Sequence, residues 1–383
     1  MSTRHTTSRR KILLLNSTLG IGGAENVTAA LCRGIDHDKF DVVLAHLKWR
    51  GAIGDELAGE GFKVVSLESE TPGKRDYFSS LRLRRFLAAE RVELVHTNDL
   101  HAMIDAAICR ISVRKLRQVS TFHFGNYPHQ SRRYHLAEKY LSRVPDRLVA
   151  VGQEQRQRLL NNYGFHEGRL DLIRNGVPDV GAQASERLRS RIQSNGKIVI
   201  GSVSTLIEQK GITYLLDVAG RLKQKSLPFK LVVAGEGHLR PGLEAKAAAL
   251  GLTEDVEFYG WVDNAPQRVL PWIDVFVQTS LWEAMSMVVL EAMSCGLPIV
   301  ATTVGENPYV IRDGENGFLA APKDVDLIAD RLGQLIQSPE LRRQLGQQAR
   351  RDWEQHYTAR RMCREYEALY TEVLNAGRRP ARA

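Results

Sequence analysis

The stretch Asp274–Ala301 reads DVFVQTSLWEAMSMVVLEAMSCGLPIVA. Its first five residues are an apolar run of strand type, and residues 298–301 (PIVA) are another. Between them an apolar, helix-forming run stops at Gly296-Leu297-Pro298, a helix-end signal. Strand, helix and strand in this order predict a βαβ unit of a parallel sheet. The run also carries two carboxylates, Glu283 and Glu291. Glu291 has Leu290, Ala292 and Met293 as neighbours. A carboxylate in apolar company is costly unless something pairs with it. Eight helical residues between the two would separate them by about 12 Å.

The same alternation extends in both directions. Strands are expected at 197–203, 229–235, 255–259, 274–278, 298–301 and 318–320, with closing helices at about 324–338, 340–355 and 358–375. Towards the N-terminus, strands are expected at 11–16, 41–47, 63–67, 92–96, 118–123, 147–151 and 170–174, with amphipathic stretches such as 24–34 and 79–90 between them. Residues 178–196 are polar and aperiodic and read as an interdomain connection. A chain of 383 residues is long for one core. The expected fold class is α/β: two tandem Rossmann-like, doubly wound domains facing across a cleft, over 10–178 and 196–357. Ligands of such sheets bind outside the carboxyl ends of the strands.

Composition is that of a soluble globular protein, with 43% hydrophobic and 25% charged residues. No apolar run is long enough for a membrane-spanning helix. Ile12-Leu13-Leu14-Leu15 is too short for a signal-peptide core and reads as a first buried strand. Cys32, Cys109, Cys295 and Cys363 have no metal-type spacing and fit a reducing cytoplasm. Residues 1–178 hold 28 Lys and Arg against 19 Asp and Glu, while 179–383 hold 25 of each, so the net charge of +9 belongs to the first part. That bias suits an anionic partner, and an anionic membrane surface is the one expected. No nucleic-acid motif accompanies the charge, so nucleic acid is not an expected partner.

Several strand ends carry residues suited to ligands. Thr18-Leu19-Gly20-Ile21-Gly22-Gly23-Ala24-Glu25 opens a helix, but its sixth fingerprint position is Glu25, which rejects dinucleotide binding. Gly22 and Gly23 at a helix N-terminus still suit a phosphate, or form only a tight turn. Thr205 and Lys210 occupy the matching place in the second half. A lysine near a helix N-terminus is unfavourable against the dipole, and a phosphate there would offset the penalty. Gly235 and Gly260-Trp261-Val262 are further turns at strand ends. His123 can donate to a substrate oxygen or phosphate; the bland reading is a satisfied core histidine, and His96 and Asn98-Asp99, which end the preceding strand, have a similar status. The segment 130–143 is a basic amphipathic helix, suited either to a membrane interface or to packing on the sheet.

Taken in order, Gly22-Gly23-Ala24-Glu25, His123, Ile173-Arg174-Asn175-Gly176-Val177, Lys210-Gly211, Glu283-x7-Glu291 and Asp313-Gly314-Glu315-Asn316-Gly317-Phe318 resemble the retaining glycosyltransferases of family 4, which have the GT-B fold. The resemblance spans residues 11–374 or so. It implies that Glu291 holds the ribose hydroxyls of a nucleotide-sugar, while Glu283 and the backbone of Ala284, Met285, Ser286 and Met287 contact the transferred sugar. Lys210 would neutralise the pyrophosphate, Gly22 and Gly23 would let a loop approach it, and His123 would contact the donor sugar. His123, Glu283 and Lys210 are thus the candidate catalytic residues. Thr205, Gly235, Trp261 and Val262 are expected along the donor site. No cofactor or metal is implied, and the last helix, 358–375, is expected to cross back to the first domain.

The expected reaction moves a hexose from a nucleoside-diphosphate sugar, UDP-sugar favoured, to a hydroxyl of a lipid-linked or polysaccharide acceptor. Cell-surface glycan or lipopolysaccharide synthesis is the expected context, in the cytoplasm at the inner face of the plasma membrane. A hydrolase with an acid/base pair is disfavoured, because about 12 Å exceeds the usual carboxylate separation. The chain departs from the family pattern at Thr205, where Arg is usual, at Ala284, where Gly is common, and at Tyr309, where an acid is frequent. The first departure motivates an alternative, a non-catalytic nucleotide-sugar binding or assembly subunit. A nucleotide-sugar epimerase of the same fold is a third reading.

Overall fold

The computed structural model describes residues 9–69, 78–113, 115–123, 132–181 and 196–376. Most of the expected connection 178–196, together with residues 124–131 that follow His123, lies outside the described residues. The chain divides into two compact units. Residues up to Asn175 join those from Ala359 onward in one, and Gly176–Thr358 form the other.

The first unit contains strands β1 (Arg10–Thr18), β2 (Phe40–Trp49), β3 (Val64–Ser66), β4 (Leu94–Thr97), β5 (Arg117–Phe122), β6 (Arg147–Ala150) and β7 (Leu170–Leu172). They form one parallel sheet in the order β3-β2-β1-β4-β5-β6-β7. Its helices are α1 (Gly23–Gly34), α2 (Gly51–Gly59), α3 (Ser79–Ala89), α4 (Leu100–Ser112), α5 (Arg132–Leu141) and α6 (Gln153–Tyr163). The run Ile12–Leu15 that reads as a buried strand is fully buried at the centre of the sheet. Sheets covered on both faces select such continuous apolar runs.

The second unit repeats the plan with β8 (Ile198–Val203), β9 (Phe229–Ala234), β10 (Val256–Gly260), β11 (Val275–Gln278), β12 (Ile299–Thr302) and β13 (Phe318–Ala320). Their order is β10-β9-β8-β11-β12-β13, again all parallel. Helices α7 (Ile212–Gln224), α8 (Arg240–Ala249), α9 (Ala265–Val269), α10 (Met287–Ser294), α11 (Asn307–Val310), α12 (Val325–Gln337) and α13 (Pro339–His356) complete it. In each sheet the strand order reverses at one point, between β1 and β4 and between β8 and β11. The loops leaving those strands part there and leave a crevice at the carboxyl edge.

The last helix, α14 (Ala359–Asn375), packs in the first unit against α1. Its buried face carries Met362, Tyr366, Tyr370 and Val373. Tyr370 shares a 2.6 Å hydrogen bond with His96 Nδ1, and Tyr366 a 3.0 Å one with Thr121. Residues 176–181, by contrast, belong to the second unit, so the boundary lies earlier than the expected 178. The physical reason is local: Val177 is buried and its N–H donates to Tyr357 O at 2.9 Å, and beyond it the Val180 N–H donates to Ser294 Oγ at 3.2 Å and Asp179 receives both terminal nitrogens of Arg350 at 2.8 and 2.6 Å.

Candidate functional site

In the second unit, the crevice between β8 and β11 brings two loops together. The β8 loop ends in a short turn at Glu208–Lys210, followed by Gly211 at φ +63°. Any side chain at Gly211 would collide with the carbonyl oxygen of Thr279 in the β11 loop. Thr279 Oγ1 donates to Gly211 O at 3.1 Å, Leu281 N–H donates to Gln209 O at 2.7 Å, and Gln209 Nε2 donates to Trp282 O at 3.0 Å. This lacing sets Lys210 Nζ 2.6 Å from Glu283 Oε1, which also accepts from Ser280 Oγ at 2.8 Å. Glu283 is therefore an anionic partner of Lys210.

Glu283 is not helical. Helix α10 starts at Met287, and residues 279–286 form the loop before it. The separation of about 12 Å expected from continuous helix loses its basis, and with it the distance argument against a hydrolase. A loop wins here because Gly305, at φ +52°, lets the following segment pack beneath the carbonyls of Glu283 and Ala284, and the Glu306 N–H donates to Ala284 O at 2.8 Å.

Below the loop lies a buried polar network. Gln278 Nε2 donates to Ser286 Oγ at 2.7 Å, Asn307 Nδ2 donates to Gln278 Oε1 and to Thr302 O at 2.9 Å each, and Thr302 Oγ1 donates to Ser280 O at 2.6 Å. Ser286 is the N-cap of α10, yet its side chain makes no capping bond, because its hydroxyl faces this network. The first-turn amides of α10 thus gain no cap from the Ser286 side chain, and the positive end of the helix faces the loop. Met285 is buried beneath the loop, while Ala284 and Met287 are half-buried.

Glu291 sits one turn further along α10, 7% exposed. No group among the described residues hydrogen-bonds or ion-pairs with its carboxylate. Burial alone pushes its pKa up to about 7. A group so placed either stays protonated or awaits hydroxyl donors from a ligand.

The other expected donor-site residues have mixed surroundings. Thr205 is exposed in the β8 loop. A side chain at Gly235, whose φ is +142°, would collide with the carbonyl of Ser204, so its glycine is required by backbone approach within the sheet edge. Trp261 is exposed, with its indole N–H donating to Asp263 at 2.8 Å, and Val262 is half-buried beside it. Tyr309 is exposed on α11.

In the first unit, Gly22 is the N-cap of α1 and Gly23 its first residue. The Glu25 carboxylate folds back beside Gly22, where a side chain would strike it. His123 follows β5, half-buried, with Nε2 3.4 Å from Asn98 Oδ1. Burial lowers its pKa to about 4, so the ring is neutral at neutral pH. His96 is a core residue: it is fully buried, bonded to Tyr370 and to Thr121 (2.7 Å), and lowered to about 3 mainly by burial. Sequence reading passed over Asn16 and Thr28 and gave Asn98 only the status of His96; all three are buried and connect β1, α1 and the β4 loop to His123. Their only sequence signal is polarity at the end of an apolar run.

Residues 21–179 match the model described as Glycosyltransferase Family 4, and residues 184–352 match Glycosyl transferases group 1. A putative glycosyltransferase, EpsD, from Bacillus subtilis is 28% identical over 84% of this chain and 90% of its own length. An Escherichia coli enzyme named UDP-Gal:alpha-D-GlcNAc-diphosphoundecaprenol alpha-1,3-galactosyltransferase is 25% identical over 84% of this chain and 87% of its own. The crystal structure of Anabaena HepE in complex with UDP superposes with a TM-score of 0.83 at 20% identity, covering 94% of this chain and all of that one. Two doubly wound parallel-sheet units with these neighbours are the GT-B architecture.

Proposed function

The chain belongs to the family 4 glycosyltransferases, and on that premise we propose that it is a retaining enzyme transferring a hexose from a UDP-sugar to a hydroxyl of a lipid-linked or polysaccharide acceptor. The observation that carries the donor assignment is Glu291. It is a buried carboxylate without a partner among the described residues, on the helix whose N-terminus, uncapped by Ser286, follows the Lys210–Glu283 pair. A carboxylate accepts hydrogen bonds from a ribose diol, the helix end attracts a phosphate, and Lys210 adds a positive charge. UDP as the nucleotide is supported by the ligand in HepE and by the donor in the name of the Escherichia coli relative. The latter name also supports a diphosphate-linked lipid acceptor in glycan assembly.

The chemical task is electrostatic. As the glycosidic bond to the pyrophosphate breaks, positive charge develops on the sugar and negative charge on the leaving group. Lys210 and the α10 amides stabilise the second, which is the role usually given to preorganised donors. Glu283, already oriented by Ser280 and Lys210, is placed to hold a sugar hydroxyl once Lys210 turns to the phosphate. This arrangement works without a metal or other cofactor. The backbone of residues 284–287 completes the proposed donor contacts, with Thr205, Gly235, Trp261 and Val262 along its nucleotide end, while Gly22 and Gly23 open α1 of the first unit and suit a phosphate there.

Nucleoside-diphosphate release across a panel of UDP-, GDP- and ADP-sugars, with and without chelator, tests the reading. Release from one UDP-sugar, unaffected by chelator and lost in Glu291→Ala, is expected. Unchanged turnover in Glu291→Ala sinks the assignment. Calorimetric binding without any release would favour the non-catalytic subunit that the exposed Thr205 suggests. The anomeric configuration of the product, read by NMR, decides between retention and inversion.

A further inference from the structure

We propose that Asn98 is a positioning residue that holds His123 as its Nε2–H tautomer, so that Nδ1 is presented as an acceptor for a substrate hydroxyl. The inference rests on the transferase reading for the identity of that hydroxyl, and on geometry alone for the tautomer.

The orientation starts at Thr28 on α1. Its Oγ1 lies 3.0 Å from the carbonyl of Ala24, its shortest contact and one that can only accept, so the hydroxyl proton is assigned there. The Asn16 Oδ1, at 3.2 Å, is a second and longer acceptor for the same proton. With its proton committed, Thr28 Oγ1 is an acceptor towards its remaining neighbour, the Asn98 amide at 3.1 Å. Only the Nδ2 end of that amide can donate. The same Nδ2 lies 3.3 Å from Asn16 Oδ1. The amide therefore has one satisfactory orientation, and its Oδ1 faces His123 Nε2 at 3.4 Å.

An amide oxygen in that place accepts, so Nε2 carries the proton. All three supporting side chains are buried, Asn16 and Asn98 at 1% exposure and Thr28 at 0%, so water does not compete for these bonds. The half-buried ring is neutral at neutral pH, which leaves Nδ1 with a lone pair. Nδ1 has no partner among the described residues. A neutral acceptor nitrogen repels a phosphate oxygen and welcomes an O–H. His123 therefore reads a sugar hydroxyl and not the diphosphate, which narrows the sequence expectation that it could donate to either. The network also ties the site to Gly22 and Gly23, because Thr28 is on the helix they open.

Heteronuclear long-range NMR of protein labelled with nitrogen-15 on histidine reads the tautomer directly at pH 7.5, with His123→Gln providing the assignment. A pure Nε2–H ring is expected in the unaltered protein, and a mixture in Asn98→Ala. Thr28→Val should also give a mixture, because it frees the amide to turn, and Thr28→Ser should restore the single form. A wild-type ring protonated on Nδ1 overturns the proposal, as does a single Nε2–H form that persists in a folded Asn98→Ala or Thr28→Val protein. In turnover of the UDP-sugar identified by the donor panel, Asn98→Ala should lower kcat/KM by on the order of tenfold, the worth of one hydrogen bond, while UDP binding stays unchanged. A correct tautomer in a protein that turns over no nucleotide-sugar leaves the positioning intact and removes the transferase reading instead.

Discussion

Glu291 shows how one residue carries opposing demands. Its folded pKa, near 7, lies above the ordinary 4.5 because burial disfavours the charge. A carboxyl with a raised folded pKa is fully tolerated at low pH. It destabilises increasingly as pH climbs from about 4.5, and the penalty levels off above about 7. With roughly 1.4 kcal/mol per unit the full penalty is about 3 kcal/mol. Glu291→Gln is therefore expected to raise the melting temperature at pH 8, with most of the gain gone at pH 5, while UDP binding is lost. Thermal melts across that pH range check the first part and calorimetry the second. A variant that melts lower than the parent at pH 8 would mean that Glu291 has a structural partner. The apolar neighbours Leu290, Ala292 and Met293 already announced this burial in the sequence. The Lys210–Glu283 contact was not legible, because the two residues are 73 positions apart and meet only through the lacing of two loops.

At the scale of elements, period and punctuation located most of the structure. The helix-end signal at Gly296-Leu297-Pro298 became a Schellman turn, with the Leu297 N–H on Ala292 O at 3.1 Å, the Gly296 N–H on Met293 O at 2.9 Å, and Gly296 at φ +68°. The start of the same helix was misplaced, since Trp282–Ser286 has the composition of a helix but is held as a loop by Gly305 and the Gln278–Ser286 bond. Gly211 is the other element-scale control. Gly211→Ala adds a left-handed strain of about 1–2 kcal/mol and a collision with Thr279 O that forces the β8 and β11 loops apart. Urea unfolding should show a loss above 2 kcal/mol, together with weaker UDP binding. Gly59→Ala is the control, because nothing lies within 4 Å of its added carbon, and it should leave both measurements within error. Equal stability of Gly211→Ala and the parent would show that the loops can part freely.

At the scale of the molecule, charge and exposed apolar surface coincide in the first unit. Residues 1–178, nearly all of them in that unit, carry 28 Lys and Arg against 19 Asp and Glu, and α5 exposes Leu136 and Tyr140 with Arg143 stacked 5.6 Å from the tyrosine ring. The amphipathic segment thus packs one side, where Glu138 is buried, and leaves apolar side chains on the other. No described helix is long and apolar enough to cross a membrane. Co-sedimentation with vesicles containing anionic lipid is expected at low ionic strength. It should fall as salt shortens the screening length to about 8 Å, and Leu136→Glu with Tyr140→Glu should reduce it further. Vesicles that leave the protein in the supernatant even without added salt would refute peripheral association through this surface. The final helix belongs to the same scale: α14 is distant in sequence, but Tyr366 and Tyr370 supply the partners of Thr121 and His96 deep in the first unit. The sequence alone determined the alternation of strands and helices, the two parallel sheets and the family, because apolar period and turn residues are local signals. The pairing of Lys210 with Glu283, the uncapped start of α10, the core role of His96 and the orientation of His123 through Asn98 and Thr28 were decided only in three dimensions. Each depends on a side-chain hydrogen bond set by the fold, most of them between segments far apart in the chain, and a hydrogen bond has a direction that no sequence pattern records.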